Sequence, residues 1–269
     1  MSERGSPLGN AGLLTLQRNI IVALLVAVAA AAWAMLIRQR AGMDMPMNTP
    51  TMGMDAPLFL AAWIIMMIAM MFPTAAPMIL TFHQVQAGRR GRGEAFVSTW
   101  VFLGGYMLVW GLAGVVAFAG AAGAERIAGQ AEMSAATAAR IGGVLLIVAG
   151  AYQLSPLKDL CLTKCRSPMS FILVSWRDGQ WGAVRMGLEH GLFCLGCCWL
   201  LFLALFPLGI MNIAAMAVVT LLIFAEKTLP AGKRIATLSG TALLLYGAVV
   251  LVFPQALPTF PAAGAMAMD

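Results

Sequence analysis

Residues 186–199 read MGLEHGLFCLGCCW, placing Glu189, His190 and three of the chain's five cysteines inside a run otherwise apolar enough to cross a bilayer. Wound as an α-helix at about 100° per residue, Met186, His190, Cys194 and Cys197 fall within roughly 80° of one another, with Cys198 beside them. Glu189 lies roughly 100° from His190, on the flank of this column, positioned to orient a ligand or to face a neighbouring helix. Ionisable groups at such depth are costly and face a bundle interior, which marks them as functional candidates.

The surrounding chain has 269 residues, 61% hydrophobic and only 10% charged, with a mean hydropathy of +0.87. Soluble domains do not reach these values, so an all-α, polytopic membrane protein is expected. The net charge of +6 does not point to nucleic acid, because the basic residues sit in short loops between apolar runs, the positive-inside pattern. Five cysteines without secreted-scaffold spacing argue against a disulfide framework.

Seven apolar runs, at about 19–37, 58–82, 96–120, 139–154, 183–206, 210–226 and 235–253, each approach the roughly 20 residues a spanning helix needs. A transmembrane bundle of about seven spans follows, with six as the alternative count, in a lipid bilayer read as the bacterial inner membrane. Three regions are drawn: 1–57, an N-terminal helix and Met-rich outer loop; 58–230, a metal-binding core; and 231–269, a last helix and outward tail. With the N-terminus cytoplasmic, the inner segments hold Arg4, Arg18, Arg89, Arg90, Arg92, Lys158, Lys164, Arg166, Arg177, Lys227, Lys233 and Arg234, against Arg38, Arg40, Arg126 and Arg140 outside. This orientation places His190 in the cytoplasmic half and the cysteines near the midplane.

The first run is too long for a signal peptide and ends at Arg38, so a retained helix is expected. The loop after it carries Met43, Asp44, Met45, Met47, Met52, Met54 and Asp55. Methionines in an exposed loop gain little from packing, so metal capture is expected there; the outward tail finishes with Met266, Met268 and Asp269. The second run contains Met66, Met67, Met70 and Met71, then Pro73 and Pro77, which predict a kink, and it ends at His83. Gly104, Gly105, Gly111, Gly114 and Gly120 suit the third run to close helix contacts. Farther on, Cys161 and Cys165 are spaced to share a helical face on the cytoplasmic side, where Lys158, Lys164 and Arg166 are expected to lower their pKa and His83 to lie nearby. The stretch with Trp176, Arg177 and Trp181 reads as an interfacial amphipathic segment. Pro207 to Gly209 predicts a tight reversal, and Glu226-Lys227 reads as an interfacial ion pair.

Thiolate and thioether ligands select soft cations, Cu(I) above all. Cys194, Cys197, Cys198 and His190 offer such donors on one face, and a facing helix could add Met66 and Met70, one turn apart, with Met67 and Met71 beside them. The segments AWIIMMIAMMFPTAAP at 62–77, CLTKCRSP at 161–168, GLEHGLFCLGCCW at 187–199 and MNIAAM followed by Glu226-Lys227 resemble the predicted metal-binding integral membrane proteins, a bacterial family, over about residues 58 to 230. The resemblance implies copper, delivered by a membrane chaperone to secreted or membrane-bound copper oxidases such as tyrosinases.

The expected function is therefore copper handling: binding of Cu(I), and its delivery or translocation toward periplasmic copper enzymes. A non-enzymatic role is expected, and with no GxxxxGK[ST] loop and no aspartyl-phosphate motif any transport would be passive or coupled to something else. The alternatives are a transmembrane thiol-disulfide oxidoreductase passing electrons between cysteine pairs, and an assembly subunit whose cysteines only pack.

Overall fold

The computed structural model describes residues 7–42 and 49–260. Met43, Asp44, Met45 and Met47 of the outer loop, and Met266, Met268 and Asp269 of the tail, lie outside the described residues. The described chain is all-helical: α1 (Pro7–Gly42), α2 (Ala56–Gly91), α3 (Thr99–Gln130), α4 (Ala135–Gln153), α5 (Pro156–Arg166), α6 (Pro168–Ser175), α7 (Gly179–Leu208), α8 (Ile213–Thr228) and α9 (Gly232–Val252), then a 3-10 turn at Pro254–Ala256.

Six of these helices, α1, α2, α3, α4, α7 and α9, are long and apolar enough to cross a membrane. The run at 210–226 forms α8, whose 16 residues span about 24 Å at 1.5 Å each, short of the roughly 30 Å hydrocarbon core. Leu112, Val116, Leu173, Val174, Leu238 and Leu245 are exposed, an outer surface suited to lipid.

Local chemistry sets the helix starts. Asp55 accepts from the Leu58 amide at 3.2 Å, Ser134 from Thr137 at 3.2 Å, Ser155 from Lys158 at 3.3 Å and Asn212 from Ala215 at 3.2 Å, each satisfying a first-turn N–H. The predicted reversal after α7 is present, with Gly209 at φ 90°, a conformation that favours glycine.

Helix α2 runs through Pro73 and Pro77 without interruption. Pro73 has no N–H to offer the carbonyl four residues earlier, and that carbonyl, of Ala69, instead accepts from the Trp33 indole of α1 at 3.1 Å. The proline thus creates the acceptor that docks α1.

Glycines set two close crossings. A Cβ on Gly187 would strike the Phe102 carbonyl, and one on Gly105 the Val184 carbonyl, so α3 and α7 touch backbone to backbone. Gly114 makes room for the Trp63 ring, whereas Gly104 and Gly120 face open space. Helices α4 and α9 meet the same way, Gly150 against the Gly240 carbonyl and Gly247 against that of Gly143.

The segment after α4 is helical, as the spacing of Cys161 and Cys165 requires for a shared face. It folds into α5, packed on α7, and α6, which buries Phe171 and Ile172 in the core and leaves Leu173 and Val174 exposed. Trp176 stacks on Phe82 at 6.3 Å beneath Arg89, while Trp181 is exposed. In the outer loop, Met52 and Met54 are buried in the core and Asp55 is occupied as a cap, so these three serve packing and folding. Thr51 donates through its backbone N–H and its hydroxyl to Glu125, which ties this loop to α3.

The expected Glu226–Lys227 pair is not formed. Glu226 pairs with Lys158 at 2.6 Å, both side chains almost fully buried. Gln153 donates to Glu226 and Ser239 at 2.8 Å each and accepts from Lys158, a network joining α4, α5, α8 and α9. Arg166 donates to the carbonyls of Glu226 at 2.6 Å and Leu229 at 2.8 Å, capping the end of α8.

Two outcomes follow for stability in detergent. Trp33→Phe strands the Ala69 carbonyl and is expected to cost about 1–3 kcal/mol, read as a lowered unfolding midpoint and faster proteolysis of α1. Glu226→Gln or Lys158→Met leaves one buried charge uncompensated and is expected to cost about 3–5 kcal/mol, whereas the double variant recovers much of it.

Candidate metal centre

The α3–α7 crossing builds the site. Its closeness presses His190 against α3, where the imidazole stacks on Tyr106 at 5.5 Å and Phe102 at 6.0 Å, with Phe171 of α6 edge-on at 5.6 Å. The ring is 3% exposed, and among the described residues neither of its nitrogens has a hydrogen-bond partner. Buried polar atoms are ordinarily satisfied, so two orphaned nitrogens on one ring call for an explanation.

One turn farther along α7, Cys194 lies between two polar groups. The Tyr106 hydroxyl is 3.2 Å from its sulfur, and the Lys227 ammonium of α8 donates to it at 3.0 Å. Cys197 and Cys198 point their thiols to the Cys194 carbonyl at 3.1 and 2.7 Å, and Cys197 also lies 4.0 Å from the Cys165 sulfur of α5. All five cysteines are free thiols. Cys161 is pressed against Gly196, where a Cβ would come 2.8 Å from its sulfur.

Cys165 therefore joins the α7 cysteines instead of forming a separate cytoplasmic pair with Cys161. Of the positive charge expected to depress these thiols, Lys158 is neutralised by Glu226, while Arg166 keeps its charge and points its N–H groups at α8 carbonyls. Partial burial, with Cys197 nearby, pushes the Cys161 thiol up. The cluster is level with the C-terminal end of α4, not its middle, since Tyr152 donates to the Gly196 carbonyl.

Other candidates stand apart. Glu189 pairs with Arg177 at 3.2 Å and Arg185 at 3.4 Å, away from the sulfurs. His83 is 3.4 Å from the Thr99 hydroxyl and lines a different cavity with Gln86 and Arg90, so it does not accompany Cys161 and Cys165. Met186, one turn before His190, is fully buried, as are Met66, Met67, Met70 and Met71, all in the core cluster that holds the cysteines. The part of α2 that shares a cavity with His190 and Cys165 is Thr74, Pro77 and Met78, beyond the methionine run. Among the described residues no three His, Cys, Asp or Glu side chains converge on a preformed cation site.

Sequence reasoning missed Tyr106 and the turn of Lys227 toward sulfur. A tyrosine within an apolar run was one available signal. The other was a second buried cation, Lys158, within reach of the single carboxylate of α8.

No curated protein and no solved structure matches the chain. A family model described as a copper chaperone, PpoB2, matches residues 60–250, well over half of the sequence and the stretch that carries every helix of the cysteine cluster. The chain belongs to this copper-chaperone family.

Proposed function

We propose that this chain binds Cu(I) at Cys165, Cys194, Cys197 and Cys198, with the His190 imidazole adjoining, and delivers it to a periplasmic or membrane-bound copper oxidase at the bacterial inner membrane. The single observation that carries the reading is the approach of Cys165 and Cys197 to 4.0 Å beside a buried histidine with both nitrogens unpartnered. Metal–thiolate bonds of roughly 2.3 Å to two sulfurs so placed enclose about 120°, leaving a third direction for another donor. Thiolates and imidazole together favour a soft cation, and a cluster without a carboxylate disfavours a hard one.

Each neighbour has a part. The Lys227 ammonium, 3.0 Å from Cys194, offsets the negative charge that a copper thiolate carries into a dry interior. Met186 and the buried methionines of α2 supply soft, polarizable surroundings and weaker thioether donors. Glu189, paired with Arg177 and Arg185, and His83, which lines a different cavity, are left out of the ligand set.

Cu(I) titration of the purified full chain, with a chromophoric chelator as competitor, tests the reading. Replacing Cys194, Cys197 and Cys198 together by Ala is expected to abolish high-affinity binding, and His190→Ala to weaken it at least about tenfold, the loss associated with one donor or its support. Equal stoichiometry and affinity in wild type and both variants would sink the site. Thiol trapping without metal checks the redox alternative, and cysteines that stay reduced across oxidant and reductant are the expected result. Glu189→Gln is expected to bind copper as the wild type does, checked in the same titration.

A further inference from the structure

A cavity of about 190 Å3 leads to the cysteine cluster. Exposed Thr228 and half-buried Arg166 stand at its outer part, and buried Cys165, His190 and Lys227 form its inner end. Two features set it apart from a path for a bare ion. Its walls contain two cations, Arg166 and Lys227, and no carboxylate, so the field inside opposes a naked cation and attracts an anion. Its volume matches roughly six waters at about 30 Å3 each, far more than one ion needs.

We infer that copper reaches this cavity as an anionic Cu(I)–thiolate complex of a carboxylate-bearing thiol, whose copper-bearing end enters while the rest stays at the mouth, drawn in by the Arg166 and Lys227 charges as its metal is exchanged onto the cysteines. The inference rests on the Cu(I) reading above and names the form in which the cargo arrives. Copper changes hands without redox: each Cu–S bond to the carrier breaks as one to Cys165 or Cys197 forms. The cysteine proton passes to the departing thiolate, which leaves as the neutral thiol. The His190 ring lines the inner end, and its two buried, unpartnered nitrogens can take up the metal as it passes between the two sets of sulfurs. Lys227, shared by the cavity and Cys194, holds the anionic charge first on the carrier and then on the protein's own sulfur.

Thr228 offers a clean lever. It is exposed, its hydroxyl, among the described residues, bonds the Phe224 carbonyl of its own helix, and it lies on the cavity wall outside the cysteine cluster. Loading of the full chain in detergent is followed from two donors, Cu(I)–glutathione, which is anionic, and Cu(I)–acetonitrile, which is cationic. Thr228→Asp is expected to slow loading from the glutathione complex by about three- to tenfold and to speed it from the acetonitrile complex, with Thr228→Lys doing the reverse, as steering by a charged cleft requires. S-methylglutathione, whose sulfur is blocked, is expected to slow loading from the glutathione complex while leaving the final copper content unchanged. Loading from both donors with rates indifferent to the charge at position 228 and to S-methylglutathione overturns the anionic-carrier inference and leaves the Cu(I) site standing. Failure of the wild-type chain to take copper from either donor overturns the site itself, and this inference with it.

Discussion

The Lys158–Glu226 ion pair, 2.6 Å long with both side chains almost wholly buried, governs the interior around it. Glu226 and Lys227 are consecutive on α8 and so point about 100° apart. A buried carboxylate needs a cation and further donors, and Lys158, Gln153 and Ser239 supply them. With Glu226 satisfied from α5, Lys227 turns to another partner and meets the Cys194 sulfur. The same pair fixes α5 against the bundle, and Cys165, seven residues beyond Lys158 on that helix, is thereby carried to Cys197. One neutralised charge thus assembles a cluster from α5, α7 and α8.

The second constraint is steric. Gly105 and Gly187 let α3 and α7 approach until backbone meets backbone, and at that distance His190 lies flat on Tyr106 and Phe102 while the Tyr106 hydroxyl reaches Cys194. Hydrocarbon outside the bundle provides no hydrophobic drive for helix association, so such contacts rely on van der Waals fit. A larger residue at either glycine would push the histidine and cysteine column off α3, and stability and site geometry are therefore set by the same atoms.

Soft sulfur donors, an orphaned imidazole and an electropositive approach suit the proposed passage of Cu(I) from ligand to ligand in a member of a copper-chaperone family. Thiolate exchange suits such traffic, since each step breaks one metal–sulfur bond as another forms.

Much was legible in the one-dimensional pattern: six of the apolar runs as long helices, the reversal at Gly209, and the column of Met186, His190, Cys194 and Cys197, because helix period and hydropathy are local properties. Chain pattern also pointed to soft-metal chemistry, since donor type travels with residue type. Partner choice was not legible. That Cys165 joins Cys197, that Lys227 faces sulfur and not Glu226, that Glu189 pairs with arginines, that His83 lines a different cavity, and that Met52 and Met54 are packed all depend on which side chains meet across helices distant in sequence. Those meetings are decided by glycine-permitted approach and by the need to neutralise every buried charge, quantities that exist only once the helices are packed together.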